Sequence, residues 1–518
     1  MREKNRSSLI KLASAFLMAL VVATCGSSST SDDDATTATP TTSTLSTAYP
    51  AEATVTSPTA ASGASASATQ ALKIKNGTVA VKPPTDEATD IKNILNATKE
   101  DDCKISFDTN LQAPNALCYG PTITYSAHPD ALVGTPSAGS LPSGDTGMWI
   151  ATETSSGEAC VASKMNSLIG EVKNNLDLMR KMTAAFLCQA KFDSLALPEA
   201  GKSVDLTASA KKVFARDAST TQFNATVTLA RDATDKAGRP IYTATMTGTM
   251  SAGSFQATIK HIPEDDANTN YSGLFSLVVA LKSSTNIPLG NCTTADGGIV
   301  DAMSIRYNKS SSNLKMLFKR AGFCGADTSV KVFDTNNEVD YSLSWKNNAH
   351  YAIFGLNSSD GTGDVAHAWQ AGNADDNARV LNVTVSTSGS TTSGCGYFGY
   401  GPKLQSTSGL ATISKMICNW AGPGNSHTGV LKAQRQCFTK DTTGKFVTDT
   451  STSATKSLAI TYSPNNSCSK SPATAADFTY TANTPAGNQV VATSDTVTSN
   501  LIDLSAIVFT TPTAPSLP

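Results

Sequence analysis

Eleven cysteines and five histidines carry most of the chemistry this chain could perform. Eleven is odd, so one cysteine has a role of its own and ten remain able to pair as disulfides in an oxidising compartment. The ten are Cys103, Cys118, Cys160, Cys188, Cys292, Cys324, Cys395, Cys418, Cys437 and Cys468; the odd one is Cys25, which closes a short apolar run. His128, His261, His350, His367 and His427 show no spacing that sets two ligands on one helical turn. No cysteine pair has zinc-ribbon spacing either, so neither a metal site nor a cofactor is expected. Asp266, Asn268 and Asn270 imitate the start of a calcium loop, but Tyr271 stands where that loop needs Gly and Leu277 where it needs Glu. Ser426 and His427 are adjacent, so in a strand they point to opposite faces and cannot act as nucleophile and base. Asp364, His367 and Trp369 read as a loop with a satisfied histidine rather than a polar pocket. No catalytic residue is expected. The candidate recognition group is aromatic: Tyr397, Phe398, Tyr400 and Trp420, bracketed by Cys395 and Cys418. Flat rings on rigid loops could stack on sugars or peptide side chains, although a small core packed on a disulfide would look the same.

The elements that carry these residues begin with the amino-terminal segment. Arg2, Lys4, Arg6 and Lys11 precede an apolar run from Leu12 to Ala23, the layout of a signal peptide over residues 1–24. A helix that crosses a membrane needs about 20 apolar residues, so this run is too short to anchor the chain by itself. The run ends Val22-Ala23-Thr24-Cys25-Gly26, which resembles the bacterial lipoprotein signal. That resemblance implies that Cys25 becomes the lipidated first residue of the mature protein. The family's pattern has Leu where Val22 stands and Gly or Ala where Thr24 stands; ordinary cleavage after Ala23 is the alternative and would release a soluble protein. The expected location is therefore lipid-anchored at the outer membrane, facing the periplasm or the exterior.

Residues 25–72 are made almost wholly of Ser, Thr, Ala, Pro and Gly, with one acidic cluster at Asp32-Asp33-Asp34. Such a segment offers too little apolar surface to offset the entropy of ordering and reads as a disordered tether. Lys and Arg total 40 against 42 Asp and Glu, a net charge of −2. Without a basic domain or stripe, a nucleic-acid partner is not expected. The remaining length exceeds what one core usually organises, so two domains are expected.

One long helix is predicted. Val161, Met165, Leu168, Val172, Leu176, Met179, Met182 and Phe186 recur at steps of three or four, a continuous stripe on one helical face. Lys164, Glu171, Lys173, Arg180 and Lys181 lie between them and suit a solvated face. A shorter helix is predicted over Asp90–Lys99, burying Ile91, Ile94 and Leu95. A continuous helix from Cys160 to Cys188 would hold those cysteines about 42 Å apart, far beyond disulfide reach. Either the helix folds back near Gly170 or Asn174-Asn175, or Cys160 and Cys188 bond Cys103 and Cys118 in some order; the unbroken stripe favours the second. The other six are expected to pair as sequence neighbours: Cys292–Cys324, Cys395–Cys418 and Cys437–Cys468.

From about Gln222 the period changes from helical to alternating. Phe223-Ala225-Val227-Leu229, Tyr242-Ala244-Met246, Phe255-Ala257-Ile259, Met303-Ile305-Tyr307, Leu314-Met316-Phe318, Tyr341-Leu343-Trp345 and Leu381-Val383-Val385 each place apolar side chains two apart. Turn clusters at Ser251–Ser254, Ser310–Asn313 and Lys346–Asn348 separate several of them. The predicted fold is mainly β, an α+β chain in which an antiparallel meander, curved or barrel-like, packs on the long helix across residues 73–385. Residues 386–393 read as a linker. Residues 394–508 read as a disulfide-braced β module, or as the completion of the preceding sheet. Residues 509–518 read as a disordered tail.

These features point to an exported, membrane-tethered, non-enzymatic envelope lipoprotein with a structural, adhesive or binding role, its partners being the membrane and an unidentified protein or glycan. The alternatives are a carrier that holds an apolar ligand between sheet and helix, and a secreted hydrolase with dispersed catalytic residues.

Overall fold

Hydroxyl-bearing and apolar residues alternate through the middle of the chain, and in the computed structural model that alternation becomes one antiparallel sheet. The structure describes residues 93–104, 123–125, 157–216, 225–250, 253–265, 270–282, 297–325, 331–341, 343, 347–370, 378–401, 429–449, 457–464, 478–483, 489–492 and 515–516. The strands are β1 (Ile123–Tyr125), β2 (Ser203–Asp205), β3 (Ala225–Arg231), β4 (Tyr242–Met250), β5 (Gly253–Pro263), β6 (Tyr271–Lys282), β7 (Gly298–Ser310), β8 (Asn313–Cys324) and β9 (Asn347–Asn357). They continue with β10 (Gly363–Gln370), β11 (Ala378–Ser388), β12 (Thr391–Gly401), β13 (Gly429–Lys440), β14 (Phe446–Thr448), β15 (Ser457–Pro464), β16 (Phe478–Asn483) and β17 (Gln489–Ala492). From β2 to β13 each strand pairs antiparallel with the next, a meander. β13 also pairs with β1, β14 and β15, and the sheet runs on through β16 to β17. The outer strands β2 and β17 do not pair with each other, so among the described residues the sheet is open.

A single helix of 33 residues, α1 (Cys160–Phe192), supplies the other layer. The stripe predicted from its sequence is buried, from Val161 at 0% exposure to Phe186 at 2%. The intervening cations are buried too: Lys173 at 9%, Arg180 at 0% and Lys181 at 5%. The face expected to meet solvent is covered. Sheet and flanking segments enclose α1 from several sides, so a position between stripe residues is not thereby a wet one. Phe255, Phe275, Ile305, Phe318, Phe354 and Val383, from six different strands, join the stripe residues in one core.

A second core lies on the opposite face of β6–β9. Val278, Ala280, Val300, Ala302, Ala321 and Phe323 are covered there by Val332 and Val339, with Tyr341 and Leu343 packed alongside. β6 is therefore covered on both faces, which explains its nearly unbroken apolar run. Tyr341 and Leu343, predicted as strand, lie in this covering loop; Trp345 falls outside the described residues. Asn347 and Asn348, predicted as a turn, open β9 instead.

The predicted linker 386–393 is a correction of another kind. Ser386, Thr387 and Ser388 pair with Ser393, Thr392 and Thr391 across a tight turn, where Gly389 takes a φ of +61°. Serines and threonines here are strand residues with wet side chains, and β12 and β13 extend the same sheet. Of the short predicted helix, residues 93–95 are helical and Glu100–Asp102 form a 3-10 turn.

Disulfides brace both regions. Cys103 bonds Cys188, with Cα atoms 5.5 Å apart, and ties the end of α1 to the segment before it. Around that bond, Gln189 donates to Glu100 at 2.7 Å, and Arg216, the last residue of α2 (Thr207–Arg216), pairs with Glu100 at 2.5 Å. Cys160 and Cys324 are disulfide-bonded as well. Cys395 bonds Cys437, which overturns the expected pairs Cys395–Cys418 and Cys437–Cys468. The two residues face each other directly across β12 and β13, so strand register chose the pair where sequence distance did not.

Candidate functional site

Alternation along β7–β10 determines which polar residues share the inner face with the core. Asp301 on β7 and Arg320 on β8 point inward with Met303 and Phe318; His350 on β9 and His367 on β10 point inward with Ala352 and Val365. The helix brings Lys164 and Glu171 to the same side. A one-residue register shift in the β8–β9 ladder falls between Arg320 and Gly322. Such a bulge frees backbone groups and re-aims side chains. Tyr341, from the covering loop, meets that need from outside: its hydroxyl accepts from Arg320 N at 3.2 Å and donates its one proton to the His350 carbonyl, with the Arg320 carbonyl also in reach at 3.3 Å. Burial raises the Tyr341 phenol well above its ordinary value, so it stays protonated and able to donate.

Arg320 is the centre of the site. Its Nε donates to Asp301 Oδ1 at 3.0 Å and its Nη2 to Asp301 Oδ2 at 2.5 Å, a bidentate fork. Its Nη1 donates to Glu171 Oε1 at 2.7 Å. Side-chain exposure is 6% for Arg320, 11% for Asp301 and 16% for Glu171. Burial opposes the guanidinium charge, but the two carboxylates more than offset it and hold the group charged more firmly than usual. One helix and two strands are thus joined through a single cation.

Beside it lies a stacked histidine pair. His350 Nδ1 and His367 Nε2 are 3.3 Å apart and the rings stack at 5.4 Å, with Phe318 edge-on to His350. Burial pushes both well below the ordinary histidine value; His367, Arg320 and Lys164 lower His350 further, and Lys164 lowers His367 further. Both rings are neutral near pH 7, one donating to the other.

A second polar contact lies further along the inner face. His261 Nδ1 is 3.4 Å from the Tyr307 hydroxyl, and Tyr271 packs on both rings. Burial raises the Tyr307 phenol, with Arg180 opposing. His261 also lines a cavity of about 10 Å³ with Thr183, Leu187, Leu229, Tyr242, Ala244 and Ile259. That volume holds about one water.

Comparison with known proteins finds no matching family model, no matching curated protein and no matching solved structure.

The residues singled out from sequence are distributed differently. Along β12 Phe398 pairs with Leu381 and Tyr400 with Arg379, two positions apart in the ladder, while Tyr397 pairs with Asn382 at the alternate position; Trp420 lies outside the described residues. Asp364 accepts from Thr384 at 2.5 Å, while His367, three residues on, is turned to the other face of the sheet. Cys25, Cys118, Cys292, Cys418, Cys468 and His427 also lie outside the described residues. Asp301, Arg320 and Glu171 went unnoticed because none has a local motif. The histidine pair did carry a signal: both occupy apolar-parity positions on either side of a Ser-Ser-Asp-Gly turn, which places them diagonally across a hairpin. Among the described residues no group of three or more His, Cys, Asp or Glu is placed to hold a metal. No described helix is long and apolar enough to cross a membrane.

Proposed function

We propose that the protein is an exported, membrane-tethered, non-enzymatic envelope lipoprotein that acts through the outer surface of its sheet. One observation carries this reading: the space enclosed by the sheet is taken up by α1, and the carboxylate that Glu171 of α1 brings there is paired with Arg320 of the sheet. A small-molecule site usually offers ≈ 300–1,000 Å³. The cavity beside Thr183 and His261 has room for about one water, which favours this reading over a carrier of apolar ligands. In a hydrolase, titratable groups would face a cleft; here Arg320, Asp301 and Glu171 are spent on one another, which favours it over the hydrolase reading too. What remains for partners is the outer face, lined on β3–β5 by hydroxyls such as Thr226 and Thr247, 2.7 Å apart, and Thr245 and Thr258.

The anchor rests on Cys25 and its resemblance to the lipoprotein signal, and export is supported by the disulfides. Intact mass spectrometry of the native protein, before and after thiol alkylation, tests both. A diacylglyceryl mass on a mature chain beginning at Cys25, with no alkylatable thiol, is the expected result. An unmodified start at Thr24 defeats the anchor. Turnover by the folded protein in esterase, glycosidase or protease assays defeats the non-enzymatic reading.

A further inference from the structure

Residues 510–518 read Thr-Thr-Pro-Thr-Ala-Pro-Ser-Leu-Pro, with Pro512, Pro515 and Pro518 three apart. Proline fixes φ near −65° and turns the residue before it away from the helical region, so the segment favours a polyproline II conformation. That helix has three residues per turn, so prolines spaced by three line one edge. It makes no internal hydrogen bonds and its prolines lack an N–H. At the prolines, a partner can grip such a backbone only through carbonyls and the apolar edge.

The outer face of β7–β9 does this. Pro515 is buried, and its carbonyl accepts from Arg306 Nη1 at 2.6 Å across a separation of 209 residues. Arg306 is held in place by Glu338, which is only 3% exposed, sits in the covering loop and also takes Lys319 Nζ at 2.7 Å. Lys319 stands over the Tyr341 ring at 5.8 Å, and Tyr341 lies 6.4 Å from Tyr351. A tyrosine ring, here Tyr351, beside a fixed donor is the chemistry by which proline-rich segments are recognised: a flat face for the apolar edge, a directed N–H for the carbonyl. Arg306, Lys319, Glu338 and Tyr351 come from three strands and one loop, and the ion pairs through Glu338 tie the loop to two of those strands.

We infer that this patch is a binding seat for a Pro-x-x-Pro segment and that residues 510–518 of the same chain are its resident occupant. The inference is independent of how the chain is anchored and goes beyond a general binding role, since it names a surface and a ligand class. An outside proline-rich segment reaches the seat only by displacing the resident one.

The test uses the full chain with Pro512→Gly, Pro515→Gly and Pro518→Gly together, which removes the fixed φ and the apolar edge of the resident segment and leaves every sheet residue unchanged. A fluorescent peptide with the wild-type sequence of residues 508–518 is titrated into this variant and into the wild type, and anisotropy is read. Saturable binding to the variant, with at least ten-fold weaker binding to the wild type, is the expected result. Adding Arg306→Ala to the variant lowers peptide affinity at least ten-fold. Because Arg306→Ala could unsettle the outer face, a peptide with Pro512→Gly and Pro515→Gly is titrated into the same proline-free variant, and the same loss is expected. Binding to neither chain, equal binding to both, or indifference to the peptide's prolines overturns the proposal. A concentration-dependent dimer of the wild type that the triple variant lacks would place the segment on a second copy and overturn the assignment to the same chain.

Discussion

Asp301→Asn removes one of the two carboxylates that neutralise Arg320 while keeping the size of the side chain. Arg320 loses the charged partner of its bidentate fork at 3.0 and 2.5 Å and keeps a single bond to Glu171. With Arg320 side-chain exposure at 6%, water does little to replace the loss. Breaking one side of a buried ion pair costs about 3–5 kcal/mol, chiefly because the surviving charge stays buried and under-compensated. Glu171→Gln, which removes one bond from a somewhat more exposed group, is expected to cost less, about 1.5–3 kcal/mol. Neutralising all three positions, with Arg320→Met, Asp301→Asn and Glu171→Gln together, removes the stranded charge and is expected to recover most of what Asp301→Asn alone costs. Urea unfolding followed by circular dichroism, with the slope checked for constancy, measures each variant. Two results would refute the reasoning: a cost below about 1 kcal/mol for Asp301→Asn, within the range of an exposed pair, or a triple variant no more stable than the single one.

Acid acts on the neighbouring histidines. Both have folded-state values pushed well below 6.5, so the unfolded chain binds more protons as pH falls. Stability is fully present above about 6.5 and is lost progressively below it. Melting temperature from pH 7.5 to 5.0 should fall with a slope that His350→Leu with His367→Leu flattens, and an unchanged slope would count against the pair. Cys188→Ser opens the bond to Cys103, which spans 85 residues; the chain-entropy estimate is about 4.5 kcal/mol, read as a lowered denaturation midpoint that reductant no longer changes at this bond. Phe186→Ala empties a position 2% exposed, against Phe214 at a ring distance of 5.6 Å, and should cost about 3–5 kcal/mol in the same unfolding assay.

The strands were the most legible part of the sequence. Ala225-Val227-Leu229 and Leu314-Met316-Phe318 announce their buried face locally, because a strand's two-residue period records which side is covered. The stripe from Val161 to Phe186 announced a helix for the same reason. What the stripe could not announce was Arg180 at 0% exposure, since covering the opposite side of a helix depends on strands tens to hundreds of residues later. Cys395–Cys437 was illegible in the same way: register between β12 and β13 is a property of two strands together. The Arg320 tie needs three elements to coincide, one of them 149 residues away, and no window of sequence contains it. Ser386–Ser393 failed for a different reason, since hydroxyl residues suit linkers and wet strand faces equally well.

The bond between Cys103 and Cys188 also has an order in time. Every strand of the meander from β3 onward follows Cys188 in the chain, so a polypeptide emerging amino terminus first presents α1 before the sheet that will enclose it. Covering α1 then requires contacts of long sequence separation, which form slowly. Oxidation of this pair needs only residues that have already emerged. It can fasten the carboxyl end of α1 to its own neighbourhood early, leaving the sheet a fixed core on which to close.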